Sequence, residues 1–193
     1  MTVSHALKRL VERQRFILAE HLTGAVEEGG EESLHRCRVS TRRLRAVLSL
    51  CRNGMLGSSA RAAGRRARVL GQMLGPVREL DVALELLDEL GGHGLVKSAA
   101  VGRIRQRIRE EQTRQRRRLT GKLDRSTRRK VGQAIEDVTD AMMGIGADRE
   151  WVKELARHFT RRAGRLRRLV RAAGSLYVSE RIHAVRILSL IHI

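Results

Sequence analysis

The chain has 193 residues, 41% of them hydrophobic, which is enough to fill the core of one large or two small domains and argues against a disordered chain. Its 40 Lys and Arg against 21 Asp and Glu leave a formal charge of +19, so a partner rich in negative charge is the natural expectation. Most of the cations are arginines, whose planar fork of donors matches phosphate oxygens two at a time. The only rings are Phe16, Trp151, Phe159 and Tyr177, too few for a surface that stacks nucleic-acid bases.

Apolar residues recur at a helical period almost throughout, and no alternating strand pattern interrupts it, so the fold expected is all-α, an antiparallel helical bundle or bundles. The first helix is expected over 3–23, with Leu7, Leu10, Val11, Leu18 and Leu22 as its buried stripe, ending before the polar stretch 27–32. A second follows over 33–52. Asn53, Gly54 and Gly57 mark a turn, and a third helix covers 60–74. Gly75 and Pro76 punctuate the chain there. The ring of Pro76 fits the first position of a new helix, whose apolar face is Val77, Leu80, Leu84 and Leu87 and whose end is Gly91-Gly92. Further helices are expected at 95–119, 127–143, 148–172 and from 178 onward.

Nothing at the N-terminus resembles a signal peptide, and no segment reaches membrane-spanning length, so a cytoplasmic protein is expected. Cys37 and Cys51, 14 residues apart in one helix, are separated by about 21 Å and cannot bridge, which makes them buried free thiols. No metal-ligand spacing, carboxylate cluster or nucleophile–base pair is visible, so no catalytic residue, metal or cofactor is assigned and the chain is not expected to be an enzyme.

An offset of 148 residues aligns the chain with itself. Leu7, Arg9, Arg13 and Leu18 fall on Leu155, Arg157, Arg161 and Leu166, and Leu34-His35-x-x-Arg38-Val39 falls on Ile182-His183-x-x-Arg186-Ile187. The pattern is that of one complete helical unit, residues 1–120, followed by the opening of a second over 127–187.

Three helices carry a basic stripe opposite an apolar one. At about 100° per residue, His35, Arg38, Arg42 and Arg45 share an arc of about 80°. Arg61, Arg65, Arg68 and Gln72 share about 60°, and Arg157, Arg161, Arg165 and Arg168 repeat the arrangement opposite Leu155, Phe159, Leu166 and Leu169. A single arginine face is ordinarily solvated surface; three together with the net charge point to polyanion binding. A helix beginning near Ser33 would put His35 in its first turn, where free N–H groups and the helix dipole favour an anion. The plainer reading of His35 is a structural histidine. Arg78 and Asp81 are either a surface pair or a site arginine aimed by a carboxylate. Most arginines of 103–118 point in many directions and read as solvated outer surface.

The run Leu34-His35-x-x-Arg38-Val39-x-x-Arg42-Arg43-Leu44-Arg45-Ala46, with Leu74-Gly75-x-x-Arg78-Glu79-x-Asp81-Val82 and the repeated His183-x-x-Arg186, resembles the CHAD family, the conserved-histidine α-helical domain. The resemblance implies two pseudo-symmetric helical bundles around a basic groove that binds inorganic polyphosphate, and association with polyphosphate granules. Carried over by position, the site comprises His35, Arg38, Arg42, Arg45, Arg78, His183 and Arg186, to which the stripes add Arg65, Arg68, Arg157 and Arg161. Glu79 stands where the family usually has aspartate. After Ile187 a second basic run would be expected, but the chain reads Leu188-Ser189-Leu190-Ile191-His192-Ile193, which resembles a translated transposon-end sequencing adapter. Residues 188–193 are therefore expected to be a non-native tail and the second bundle to be truncated. The alternatives to polyphosphate binding are a nucleic-acid-binding helical protein, with nonspecific contacts to phosphates, and a phosphate-binding accessory domain of a polyphosphate-metabolising enzyme.

Overall fold

The computed structural model describes residues 2–27, 29–51, 56–92, 98–143 and 148–173. Six helices account for them, with no strand among the described residues: α1 Val3–Val26, α2 Glu31–Leu50, α3 Gly57–Gly92, α4 Ser98–Lys122, α5 Arg125–Met143 and α6 Asp148–Ala173. The all-α expectation is met. The helix expected from 178 onward lies outside the described residues.

Four helices form a ring in which α1 touches α2, α2 touches α3, α3 touches α5 and α5 returns to α1. The apolar stripes turn inward: Leu7, Val11, Leu18 and Leu22 from α1, Leu34, Leu44 and Leu48 from α2, Leu70, Leu74 and Val77 from α3, and Val131, Ile135, Val138 and Met142 from α5. Neighbours run antiparallel. Ser40 of α2 donates to the carbonyl of Gln14 at 2.9 Å, and on the other flank Arg128 reaches Glu27 while Glu136 meets Arg15. Helix α5, which the sequence placed in a second bundle, thus joins the first, because its apolar stripe closes the gap between α1 and α3. Leu10 is an exception to the expected stripe: at 46% exposure it faces out, beside the 67% exposed Phe16.

Helix α3 runs unbroken through Gly75-Pro76, where two helices were expected. Proline removes one N–H, leaving the carbonyl four residues back at Gln72 without its helical partner. Gln72 lies on the exposed side, where water can reach that carbonyl, while Leu70, Leu74 and Val77 hold both halves of the helix to one core. Packing outweighs a local penalty of about 3 kcal/mol.

Helix α4 lies outside the ring against the C-terminal half of α3 and is fastened by arginines. Arg105 pairs with Asp88, and Arg116 bridges two elements, donating to Asp81 at 3.3 Å and to the carbonyl of Gly29 at 2.6 Å. Gln112 adds a 2.6 Å bond to the same oxygen of Asp81. Gly29, at φ +66°, sits in the left-handed region, and a Cβ there would stand 3.1 Å from the Arg116 guanidinium, so the α1–α2 turn requires glycine on both counts. Thr120 of α4 reaches the carbonyl of Val26 as well. The last carbonyl of α1 and one of the following turn are thereby capped by side chains of α4.

Helix α6 docks by its first turns, where Trp151 is buried and Glu154 nearly so, touching α1 and the end of α2. Beyond them its apolar side opens to solvent, leaving Phe159 and Val170 more than half exposed. Cys37 and Cys51 are free and buried, and burial pushes both thiols up to about 12, which leaves essentially no thiolate near neutral pH.

The buried carboxylate of Asp81 and the exposed one of Asp88 should differ sharply in worth. Asp81→Ala strands the Arg116 guanidinium and should lower unfolding free energy by about 3 kcal/mol, whereas Asp88→Ala should cost less than about 1 kcal/mol, as read by denaturant unfolding.

Candidate functional site

The α2 stripe is presented as the sequence spacing requires: His35, Arg42 and Arg45 are exposed and Arg38 is half-buried. Among the described residues His35, Arg42 and Arg45 have no hydrogen bond or ion pair. Arg38 differs. Its Nη1 donates to the carbonyl of Gly71 at 2.7 Å across the α2–α3 interface, and a Cβ on Gly75 would lie 3.3 Å from that nitrogen. Gly75 leaves the notch in α3 through which the guanidinium passes, and Gly71, one turn earlier, lets α3 lie against Thr41, whose Oγ1 a Cβ there would meet at 3.5 Å. Burial pushes the pKa of Arg38 down, and the charges of Arg42 and Arg45 act in the same direction against the opposing pull of Glu79. Three like charges therefore share one small region.

The notch also fixes register. In an antiparallel pair each step forward on α2 is a step back on α3, so Arg45, seven residues after Arg38, lies level with Arg68, seven before Gly75. Likewise His35 lies level with Arg78. Arg65 and Arg68 are exposed and, among the described residues, unpaired. Two of the three basic stripes therefore flank one interhelical seam, formed by α2 and the N-terminal half of α3.

Other expected site residues are placed differently. Helix α2 starts at Glu31, not Ser33, so His35 falls in the second turn, and the first carries Glu31 and Glu32. Their carboxylates already occupy the positive end of the dipole, with Glu32 also accepting from Arg36 at 2.7 Å. The helix-terminus argument for an anion at His35 fails, and only the donor capacity of its ring remains. Arg78 is half-buried and gives both terminal nitrogens to Glu85, at 2.9 and 3.4 Å, while Asp81 turns inward to Gln112 and Arg116. Arg78 and Asp81 are thus neither of the pairs expected of them, because seven residues bring side chains back to one face and three carry Asp81 onto the core side. Arg157 and Arg161 lie on α6 within 3.4 and 3.8 Å of Glu154 on their own helix, and no contact among the described residues joins them to the seam. His183 and Arg186 lie outside the described residues, as does the tail 188–193.

Sequence reasoning missed Arg116. It lay in a run read as solvated surface, yet its partners are 35 and 87 residues away, and nothing local in the sequence distinguishes it from Arg117 or Arg118. No group of three or more His, Cys, Asp or Glu side chains that could hold a metal occurs among the described residues. No described helix is long and apolar enough to cross a membrane.

These features meet in a recognisable whole, an all-helical chain with a histidine and three arginines at i, i+3, i+7 and i+10 on α2. The chain belongs to the CHAD-domain family, whose sequence profile matches residues 9–189, and that family is associated in general terms with polyphosphate. Comparisons with curated proteins and with solved structures returned no match.

Arg38 and Arg42 should separate scaffold from surface. Arg38→Ala removes a charged donor from the Gly71 carbonyl and should cost about 2 kcal/mol of stability. Arg42→Ala should stay within about 0.5 kcal/mol of the parent in the same urea titration.

Proposed function

We propose that the protein binds inorganic polyphosphate along the α2–α3 seam, without turning it over. The observation that carries this reading is the register set by Arg38 in its glycine notch, which lines up His35, Arg42 and Arg45 with Arg65 and Arg68 as exposed, unpaired donors. Like charges so gathered repel one another, and a linear chain of phosphates relieves that repulsion along its whole length. Arginine supplies paired N–H donors to each phosphate, and His35 adds a ring N–H at the end of the row.

The ligand should be a flexible polyanion more than a nucleic acid. No aromatic side chain stands on the seam to stack a base, and the helices that carry the donors are packed side by side, not projected as a recognition helix. Arg157, Arg161, His183 and Arg186 extend this proposal to the second repeat. Residence in the cytoplasm at polyphosphate granules, and binding without catalysis, belong to the same proposal.

Affinity for long-chain polyphosphate should fall steeply with salt, as for any contact that releases counterions. At physiological salt, polyphosphate should outcompete duplex DNA of equal phosphate concentration. His35→Ala with Arg42→Ala should weaken binding by roughly tenfold or more, about 1.4 kcal/mol. Arg9→Ala with Arg13→Ala, on the outer face of α1, removes more formal charge and should weaken it far less. Equal losses, or a preference for DNA, would overturn the assignment. Arg116 is unsuitable as a control, since its loss would disturb the fold.

A further inference from the structure

Between Arg116 and Lys130 the chain carries eight cations and a single carboxylate, Asp124. The fold accounts for two of the cations. Arg116 is held by Asp81 and Gly29, and Arg128 by Glu27 at 2.9 Å and Thr23 at 3.4 Å. It accounts for the carboxylate too: Asp124 accepts the backbone N–H of Thr127 at 2.7 Å, capping α5, and hydrogen bonds from Thr127 hold its pKa below the ordinary value. The nearest acid on α4, Glu111, is taken by Gln115 and Arg114. Six cations are left over: Arg117, Arg118, Lys122, Arg125, Arg129 and Lys130. All are exposed, and none has a hydrogen bond or ion pair among the described residues.

These six crowd the corner where α4 ends and α5 begins. In the ring of helices α5 stands diagonally across from α2, while the end of α4 lies over the α1–α2 turn, where Arg116 and Thr120 reach the carbonyls of Gly29 and Val26; the corner thus sits at one end of the bundle on its α5 side, on other elements than the α2–α3 seam. A second basic surface so placed is not an extension of the first. Its backbone is open to approach, since a Cβ on Gly121 would meet nothing within 4 Å. No aromatic residue occurs between 116 and 130, so the corner can offer charge and N–H donors but no stacking platform.

We infer that the α4–α5 corner is a second polyanion-binding surface, and that one protein molecule bridges two polyphosphate chains, one at the seam and one at the corner. The bridging rests on the seam reading above; occupancy of the corner does not. Two surfaces on different elements can each hold a separate chain, so they cross-link long polymers, and cross-linking condenses polymer.

The test compares the full chain with three variants: a corner variant (Arg117→Gln, Arg118→Gln, Arg125→Gln, Arg129→Gln), a seam variant (His35→Ala, Arg42→Ala), and a control with the same charge loss as the corner variant (Arg9→Gln, Arg13→Gln, Arg103→Gln, Arg107→Gln). Glutamine keeps helix propensity close to that of arginine, and circular dichroism with an unfolding midpoint checks each fold. Calorimetry with short-chain polyphosphate should count two binding events for the parent and control and one for the corner variant. With long chains, turbidity should require roughly ten times more protein for the corner variant than for the control. Two events in the corner variant, or equal losses in the control, would overturn the inference. If the seam variant keeps both events while the corner variant loses one, the seam assignment fails and the corner stands. If duplex DNA fills the corner and polyphosphate does not, the proposed ligand is wrong.

Discussion

The Arg38 guanidinium, lying across Gly71 and Gly75 and bonded to the Gly71 carbonyl, is the contact from which the rest of the architecture follows. Gly71 lets α3 lie against Thr41 of α2, and Gly75 leaves room for the guanidinium, so one arginine spans the gap. That crossing fixes how far the two helices slide along each other, and the slide decides which surface residues become neighbours. A shift by one residue would rotate one row away from the other. The same contact supports α3 just before Pro76, where its own ladder lacks a rung.

The arginines of this protein divide by what they face. Those turned toward a neighbouring element are matched: Arg38 to a carbonyl, Arg116 to a carbonyl and a buried carboxylate, Arg128 to Glu27. Guanidinium suits this work because several donors leave one planar group in fixed directions, so a single side chain can satisfy two acceptors on different elements. Arg42 and Arg45 on α2, Arg65 and Arg68 on the first half of α3 and the six cations of the α4–α5 corner have no such partner among the described residues. Part of the surplus of +19 therefore stands where the fold has no use for it.

How far the sequence revealed this differs from element to element. Helices α1, α2, α4, α5 and α6 were legible because each repeats its apolar residues at the helical period, and their ends shift by only a few residues. Pro76 misled because local propensity was weighed without the packing of Leu70, Leu74 and Val77, which keeps α3 in one piece. The α2 row was readable from spacing alone, but its alignment with Arg65 and Arg68 was not, since register arises from a contact between residues 33 apart. Arg116 was opaque for the same reason. Leu10 was assigned inward by its chemistry, although at about 100° per residue it lies about 60° from Leu7 on the side away from Val11, Leu18 and Leu22, beyond the edge of the buried arc.

The notch that holds Arg38 also bears on the entropy of ligand capture. A free arginine side chain surrenders about 2 kcal/mol of rotamer freedom when a ligand immobilises it. Arg38 has already surrendered most of that freedom in folding, so its charge is pre-organised beside the row. Arg42, Arg45, Arg65 and Arg68 are exposed and held by no hydrogen bond or ion pair among the described residues, so they would be free to follow an irregular chain of phosphates. In the proposed complex the seam would combine one fixed cation, a defined place for a polymer to start, with several adaptable ones that accommodate whatever conformation arrives.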